Sequence, residues 1–457
     1  MLAIMRFGLV LLLFAAACGH AKQSIELYDK GDYAGALRAA DEGLSDHPDD
    51  TALWGMRIRA DLALGDAAAV AKSYGDYVAK HSGDDHDLLG DLAEATLWQA
   101  LAAPSAKLKI RAIQAVEELE ISSLAEDVAK QLGDDDDRVQ ATAAVAVLHG
   151  FKQALEVADA MLHSENAEAR RIALEGVAKK IKQLAIADIE NGANDSDAKV
   201  RAIAVRWLGE YKDKDAVEVC TKRLHDRDEG VRAAAVVALA KIGLGDTAAA
   251  AKVALADRAL AVRLAGVRVL AMLHDDAKLM TFAADPDRSV ALAAAIEIKA
   301  THPDLVQTAV QRALLADDPT IRAGALNRLS QAVDKDAAIA AAKPLLADPD
   351  VAVRLAAARV VVHAGDKADA MPVLDAELAM NDLDAIADLA ALDDPRAIQA
   401  LGELTSDQKR TPEQRAAAAA AHRTAHHVTA ALVAALTDPS GLVRVEAAAT
   451  VGALAKN

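Results

Sequence analysis

Arginine recurs at regular intervals over most of the chain, and its chemistry is the first to explain. A guanidinium group presents its donors in a fixed planar fork, which suits carboxylates and phosphates. Such a set could bind an anionic substrate or a nucleic acid, or it could hold repeated elements together. At a mean spacing of about 30 residues, nine of twelve equivalent positions are arginine: Arg111, Arg170, Arg201, Arg232, Arg263, Arg322, Arg354, Arg415 and Arg444.

Acidic residues accompany these arginines at a fixed distance. Aspartate or serine usually stands six residues before the arginine position, as Asp195, Asp226 and Asp257 do. Such side chains accept hydrogen bonds from free N–H groups where one helix ends and the next begins. A ligand-binding residue has no reason to recur in nine repeats. The pattern therefore favours a structural ladder, in which each arginine bridges the carboxylates and carbonyls of neighbouring turns.

The residues around each arginine position follow a helical pattern. Val or Ile usually precedes it, Ala or Gly usually stands three residues later, and an apolar residue stands seven later, so these share one helix face. The small residue lets a neighbouring helix come close. Across residues 105–457, this repeat resembles HEAT repeats, particularly the short class named after the phycobilisome lyases.

That resemblance implies about twelve helical pairs, with an aspartate–arginine ladder between successive units. It also implies that the second helix of each pair, as in residues 218–226 and 336–348, lines the concave face. Gln140, Ala291 and Asp384 stand where arginine is missing. We expect lower local stability or a change of curvature at the helical repeats that contain Ala291 and Asp384.

The segment 21–100 has a different period. Gly31-Asp32 and Gly65-Asp66 are 34 residues apart, and each glycine suits the turn between two helices. With Tyr33 and Trp54, this spacing resembles tetratricopeptide repeats. A third helix over about 88–100 is expected to seal the stack. The sequence therefore predicts an all-α fold, a right-handed α-solenoid of tetratricopeptide-like and then HEAT-like pairs, whose C-terminal end is thinly capped.

The N-terminus has the pattern of a targeting segment. Arg6 precedes an apolar run over 7–17, which is shorter than the about 20 residues that span a bilayer. Three alanines run into Cys18, and this junction resembles the bacterial lipobox; an ordinary secretory cleavage site is the alternative. The resemblance implies that residues 1–17, starting from Met1 or Met5, form a signal peptide. It also implies that Cys18 is lipidated, and that Gly19 directs the protein to the outer membrane, facing the periplasm.

Composition excludes several classes of function. A formal net charge of -18 and the lack of a dense Lys/Arg run argue against nucleic acid, and favour a protein partner with basic patches. His422, His426 and His427 form the one histidine cluster, for which a solvated turn is expected rather than a metal site. No motif for a cofactor or for catalysis is present.

These observations predict a non-catalytic, lipid-anchored envelope scaffold or adaptor that binds protein partners on its concave helices and meets the membrane only through its N-terminal lipid. Two alternatives stay open. One is a lyase-like or chaperone-like factor for a chromophore-bearing protein, which the phycobilisome-lyase resemblance raises. The other is a purely structural envelope protein without a defined ligand.

Overall fold

The computed structural model describes residues 19–81, 83–243 and 247–456, and over these residues the chain is all-α, as predicted, with no strand. The predicted signal peptide and Cys18 lie outside the described residues. No helix in the described part of the chain is long and apolar enough to cross a membrane. The chain divides into two compact units. Unit 1 contains the described residues up to Val128 and those from Leu378 onward, and unit 2 is Ala129–Glu377.

The helices are numbered in chain order. The first twelve are α1 (Gly19–Asp29), α2 (Tyr33–Asp46), α3 (Thr51–Leu64), α4 (Ala67–His81), α5 (His86–Leu101), α6 (Ala106–Glu118), α7 (Ala125–Ala129), α8 (Asp137–Ala146), α9 (Lys152–Leu162), α10 (Ala167–Ile181), α11 (Ile186–Gly192) and α12 (Ala198–Glu210). The next are α13 (Val217–Arg223), α14 (Glu229–Ile242), α15 (Thr247–Leu255), α16 (Leu260–Met272), α17 (Asp276–Phe282), α18 (Arg288–Glu297), α19 (Pro303–Leu314), α20 (Pro319–Asn327), α21 (Leu329–Ala332), α22 (Lys335–Ala342) and α23 (Val351–His363). The last are α24 (Lys367–Ala379), α25 (Leu383–Ala390), α26 (Pro395–Ser406), α27 (Pro412–Ala425), α28 (Ala430–Ala434) and α29 (Gly441–Ala455).

Paired aspartates start many of these helices. At the start of α12, the Asp197 carboxylate accepts from the backbone N–H groups of Lys199 and Val200 at 2.8 and 3.1 Å. Two residues earlier, the Asp195 carboxylate accepts from the Asp197 N–H at 2.7 Å. The second aspartate of the turn therefore caps the helix, because it satisfies N–H groups that have no partner within the helix. The first aspartate keeps acceptor positions for another side chain.

Unit 2 is a stack of helical pairs with two rows. We call the helices that carry the recurrent arginine position ladder helices; in unit 2 they are α8, α10, α12, α14, α16, α18, α20 and α23. Each ladder helix packs directly on the next. The alternate helices between them pack on the ladder helices but approach one another less closely. Small residues allow the close approach: a methyl group at Gly209 would lie 2.5 Å from the Ala238 Cα.

The row with the closer helices lies on the inside of a curved double layer, because bending compresses the inner row and separates the outer one. Unit 2 therefore presents its ladder helices on the concave side. The sequence analysis assigned the concave face to the second helices, such as 218–226 and 336–348, and that assignment is wrong for this unit. The repeat pattern locates both rows but does not show which of them the bend compresses.

Unit 1 combines helices from both ends of the chain. Helix α29 packs on α5 and α6, and α28 packs on α4. Residues on all sides of α29 are buried, including Val443, Val445, Ala448 and Val451, as expected for a helix that is apolar around its whole circumference. The expectation of a thin C-terminal cap is therefore wrong, because α5 and α6 cover α29.

Candidate functional site

Arg201 joins two successive turns. Its Nε and Nη2 atoms donate to the two carboxylate oxygens of Asp226 at 2.9 and 2.7 Å. Its Nη1 atom donates to the backbone carbonyls of Asp195 and Ser196 at 2.9 and 3.0 Å. The residue is only 5% exposed. Because one guanidinium binds its own turn and the next, it fixes the spacing of two successive helical repeats.

The same two-pronged arrangement recurs with a carboxylate in the next turn. It joins Arg170 to Asp195, Arg232 to Asp257, Arg322 to Asp348 and, in unit 1, Arg415 to Asp438, with N–O distances from 2.7 to 2.9 Å. Gln140, which stands in an arginine position, donates through Nε2 to the Asp134 carbonyl of its own turn at 2.6 Å.

Four predicted ladder arginines have other partners. Arg263 donates to Asp287, the capping aspartate, instead of Asp285. Arg354 donates to Glu377, and Arg111 donates to both oxygens of Glu446 at 2.7 and 3.1 Å. Arg444 donates to the carbonyls of Asp438 and Pro439 at 2.6 and 3.2 Å. The spacing rule did not find Glu377, Glu446 or Asp287, because these acids stand outside the position six residues before an arginine.

The ladder carboxylates are held in their charged form. Burial opposes ionisation of Asp226, but hydrogen bonds from Arg201 and the Asp228 N–H outweigh it, so the pKa of Asp226 lies below its ordinary value. The Arg232 hydrogen bonds lower the pKa of Asp257 in the same way. Every donor nitrogen of Arg201 is used within the protein. The geometry of these arginines therefore suits a structural role better than ligand binding.

The solvated turn that the sequence suggested for the histidine cluster holds for His426, which is exposed at the end of α27, and for the partly exposed His427 after it, but not for His422. His422 lies in α27 with no exposed surface. Its Nδ1 is 3.0 Å from the Ala418 carbonyl oxygen, and its Nε2 is 2.9 Å from the Thr429 hydroxyl. Burial lowers the pKa of His422 to about 4. His427 lies apart, with its Nε2 3.1 Å from the Asp393 carboxylate. Within the described residues, no group of three potential ligands is placed to hold a metal ion.

We expect His422 to make stability depend on pH. Its pKa is about 4 in the fold and 6.5 when exposed, so the unfolded chain binds the extra proton first. The stability is fully present above pH 6.5 and falls as the pH drops from 6.5 towards 4. Between pH 7 and pH 5 the free energy of unfolding should drop by about 2 kcal/mol. Urea unfolding of the wild type and of His422→Gln at both pH values measures this; an equal drop in both proteins would contradict it.

A groove crosses the ladder helices of unit 2. Its volume is about 690 Å³, and it is lined by residues of α12, α14, α16 and α18 and by Arg328, which directly follows α20. The uncharged part of the lining consists mainly of small and aliphatic side chains, among them Ala202, Ile203, Ala233, Ala234, Val237, Ala261, Leu264 and Ala293. Because these side chains are short, the inner face of the unit has an open apolar floor.

Six charged side chains line the groove: Arg206, Glu210, Lys241, Arg268, Glu297 and Arg328. Arg206 forms an ion pair with Glu175 and has its guanidinium carbon 5.4 Å from the Trp207 ring centroid. Lys241 forms an ion pair with Glu210. Arg268 and Arg328 are exposed, and among the described residues neither side chain has a hydrogen bond or an ion pair. The sequence analysis missed these residues, although Arg268 follows Arg263 by the same five residues that separate Arg206 from Arg201.

Comparison with known proteins identifies part of this unit. Residues 186–271 match the family model of HEAT repeats. This segment runs from α11 nearly to the end of α16 and includes Arg201, Arg232 and Arg263. HEAT repeats are therefore present where the sequence pattern predicted them. No curated protein sequence matches the chain.

Several solved structures are similar at low sequence identity. The complex of CpcE and CpcF of phycocyanin lyase from Nostoc is 20% identical, with 50% of this chain and 96% of that chain covered and a TM-score of 0.33. The protein YibA of Escherichia coli is 17% identical, with 60% and 97% covered and a TM-score of 0.35. A mutant of Kap121p is 12% identical, with 85% and 48% covered and a TM-score of 0.39. At such TM-scores these likenesses support no functional conclusion for this chain.

Proposed function

We propose that this protein is a non-catalytic scaffold or adaptor that binds protein partners on the concave face of unit 2. The observation that carries the proposal is the groove of about 690 Å³ across four ladder helices, with an apolar floor and exposed charged side chains in its lining. Apolar surface supplies affinity when it is covered, and the charges around it supply specificity. Stacked helical repeats offer extended concave surfaces of this kind to their partners.

The ladder supports this function by holding the groove in shape. Arg201, Arg232 and Arg263 lie on three consecutive ladder helices that line the groove, α12, α14 and α16, and each donates to the next turn. A surface made by several helices binds a partner tightly only if those helices keep their spacing, because ordering them upon binding would cost free energy. The structural residues and the binding residues thus occupy different sides of the same helices.

The proposal also includes a location in the bacterial envelope, with the protein attached by lipid on Cys18 to the outer membrane and facing the periplasm. Its support is the junction of three alanines with Cys18 after a short apolar run. A lipid anchor would keep the protein among its envelope partners. Membrane attachment in this proposal depends on the N-terminal lipid alone.

Photo-cross-linking tests partner binding. A photoreactive amino acid at Ala261, on the groove, should form adducts with a reproducible protein partner in envelope extracts. The same amino acid at Ala248, which is exposed on the alternate helix α15, is the control. Equal adduct patterns at both positions would contradict binding in the groove. A chromophore-bearing protein among the specific adducts of Ala261 would instead favour the lyase-like alternative.

Labelling with fatty acid tests the anchor. Wild-type protein expressed with an alkyne-labelled palmitate should incorporate the label and sediment with membranes. Cys18→Ser should remain unlabelled, because the thioether requires the cysteine sulfur. The buried Cys220 provides the control: Cys220→Ser should be labelled like the wild type. Label in Cys18→Ser at the wild-type level would exclude the lipoprotein interpretation.

A further inference from the structure

We infer that the groove of unit 2 selects an acidic segment of a partner protein, an extended stretch with two carboxylates separated by uncharged residues. This inference rests on the proposed function and specifies the chemistry of the occupant. It differs from the partner with basic patches that the net charge of -18 suggests. Net charge describes the whole chain, whereas an occupant within a groove meets the side chains of that groove.

The local charge of the groove is positive in an acidic protein. Its lining has four basic side chains and two carboxylates. Arg206 and Lys241 are already neutralised by Glu175 and Glu210. Arg268 and Arg328 have no carboxylate within ion-pair distance among the described residues. These two guanidinium groups are therefore the ones available to a ligand, and a carboxylate can accept two parallel hydrogen bonds from each.

The long-range field of the protein does not override this contact. At physiological ionic strength, charges are screened over about 8 Å. The remaining acidic surface therefore slows the approach of an acidic partner more than it weakens the bound state. Charge-assisted hydrogen bonds act at contact distance, where Arg268 and Arg328 are the nearest charges. Beside an apolar floor they act with less competition from water than on an open surface.

The positions of the charged side chains along the stack define the spacing between the two carboxylates of the bound segment. Arg268 lies on α16, Glu297 lies at the end of α18, and Arg328 directly follows α20. With about 8–10 Å between packed helices, the two arginines are separated by about 18 Å. An extended chain covers that distance in about 5–6 residues. Glu297 lies between the two arginines in the stack and repels a central carboxylate, so the intervening residues should be uncharged or basic.

The apolar floor determines the rest of the segment. Ala234, Val237 and Leu264 line the groove and are each partly exposed. An extended strand directs alternate side chains to opposite sides. Leucine or valine at alternate positions would cover the floor while the carboxylates reach the arginines. A purely acidic, polar segment would leave that floor in contact with water.

The test uses the full chain and two fluorescein-labelled peptides of twelve residues. The first has two glutamates six positions apart, with leucine, alanine and serine between them, and the second has lysine in place of both glutamates. In fluorescence anisotropy, the glutamate peptide should bind about tenfold more tightly than the lysine peptide. Arg268→Glu and Arg328→Glu should each weaken glutamate-peptide binding about tenfold or more.

Lys252→Glu is the matched control, because Lys252 is exposed on α15, outside the groove, and the substitution changes the net charge equally. It should leave binding within about twofold of the wild type. Arg268→Gln, which removes the charge without reversing it, should weaken binding by an intermediate amount. Circular dichroism of each variant establishes that the helices are intact.

Two outcomes would overturn the inference: lysine-peptide binding as tight as glutamate-peptide binding, or equal effects of Arg268→Glu and Lys252→Glu. Failure of the proposed function would be distinguishable. A partner that cross-links specifically at Ala261 and still binds Arg268→Glu would leave the function intact and remove only the acidic preference. Equal adducts at Ala261 and Ala248 would remove the function itself.

Discussion

Arg201→Ala should lower the free energy of unfolding by about 3–5 kcal/mol. The side chains of Arg201 and Asp226 are only 6% and 4% exposed. Removal of the guanidinium leaves a buried carboxylate without its main partner, and it also frees the carbonyls of Asp195 and Ser196. An uncompensated buried charge costs far more than the loss of an exposed ion pair. Urea unfolding, followed by circular dichroism, measures the effect.

Arg206→Ala provides the matched control on the same helix. Arg206 is exposed and pairs with the partly exposed Glu175, so its removal should cost at most about 1 kcal/mol. The double variant Arg201→Met with Asp226→Leu should be less destabilised than Arg201→Ala, because it leaves no unpaired charge. Hydrogen exchange in α12 and α14 would localise the loss. Unchanged urea midpoints for Arg201→Ala would show that the ladder does not hold these turns.

Val451→Asp should destabilise unit 1 by on the order of 4 kcal/mol or more. Val451 has no exposed surface and lies on α29, which packs on α5 and α6. Burial of an unpaired carboxylate there opposes docking of the helix. Because α29 covers helices that lie more than 300 residues earlier in the chain, the damage should extend to them. Amide hydrogen exchange should therefore accelerate in α5 and α6 as well as in α29.

Lys456→Asp is the control for this prediction, since Lys456 is exposed just after α29 and accepts the same new side chain without burial. In Lys456→Asp, the amide hydrogen exchange rates of α5 and α6 should equal those of the wild type. Glu446→Gln adds an intermediate case, because it removes the charge that pairs with Arg111. If Val451→Asp left the protection of α5 and α6 unchanged, the chain ends would not depend on each other for stability.

The repeated helical architecture could be predicted from the sequence because the helical repeats share the same local sequence pattern. An aspartate caps most ladder helices of unit 2, a small residue permits close packing, and apolar residues recur on one face. Such signals act within a few residues, so they can be recognised in the sequence without knowledge of distant contacts. The family match over 186–271 and the all-α fold agree with that prediction. The tetratricopeptide assignment of 21–100 and the lipid on Cys18 remain predictions.

By itself, the sequence determined where the helices repeat and which arginines stand in equivalent positions, because both depend on spacing along one chain. Only the tertiary structure decided which of those helices pack against each other and which side chains they bring together. It buried His422, placed Glu446 beside Arg111, and put the ladder helices on the concave side of unit 2. Within the described residues, it also left the side chains of Arg268 and Arg328 without a carboxylate partner. These features depend on which surfaces meet across long stretches of chain, and local periodicity does not specify the bend of a stack or the contacts of its ends.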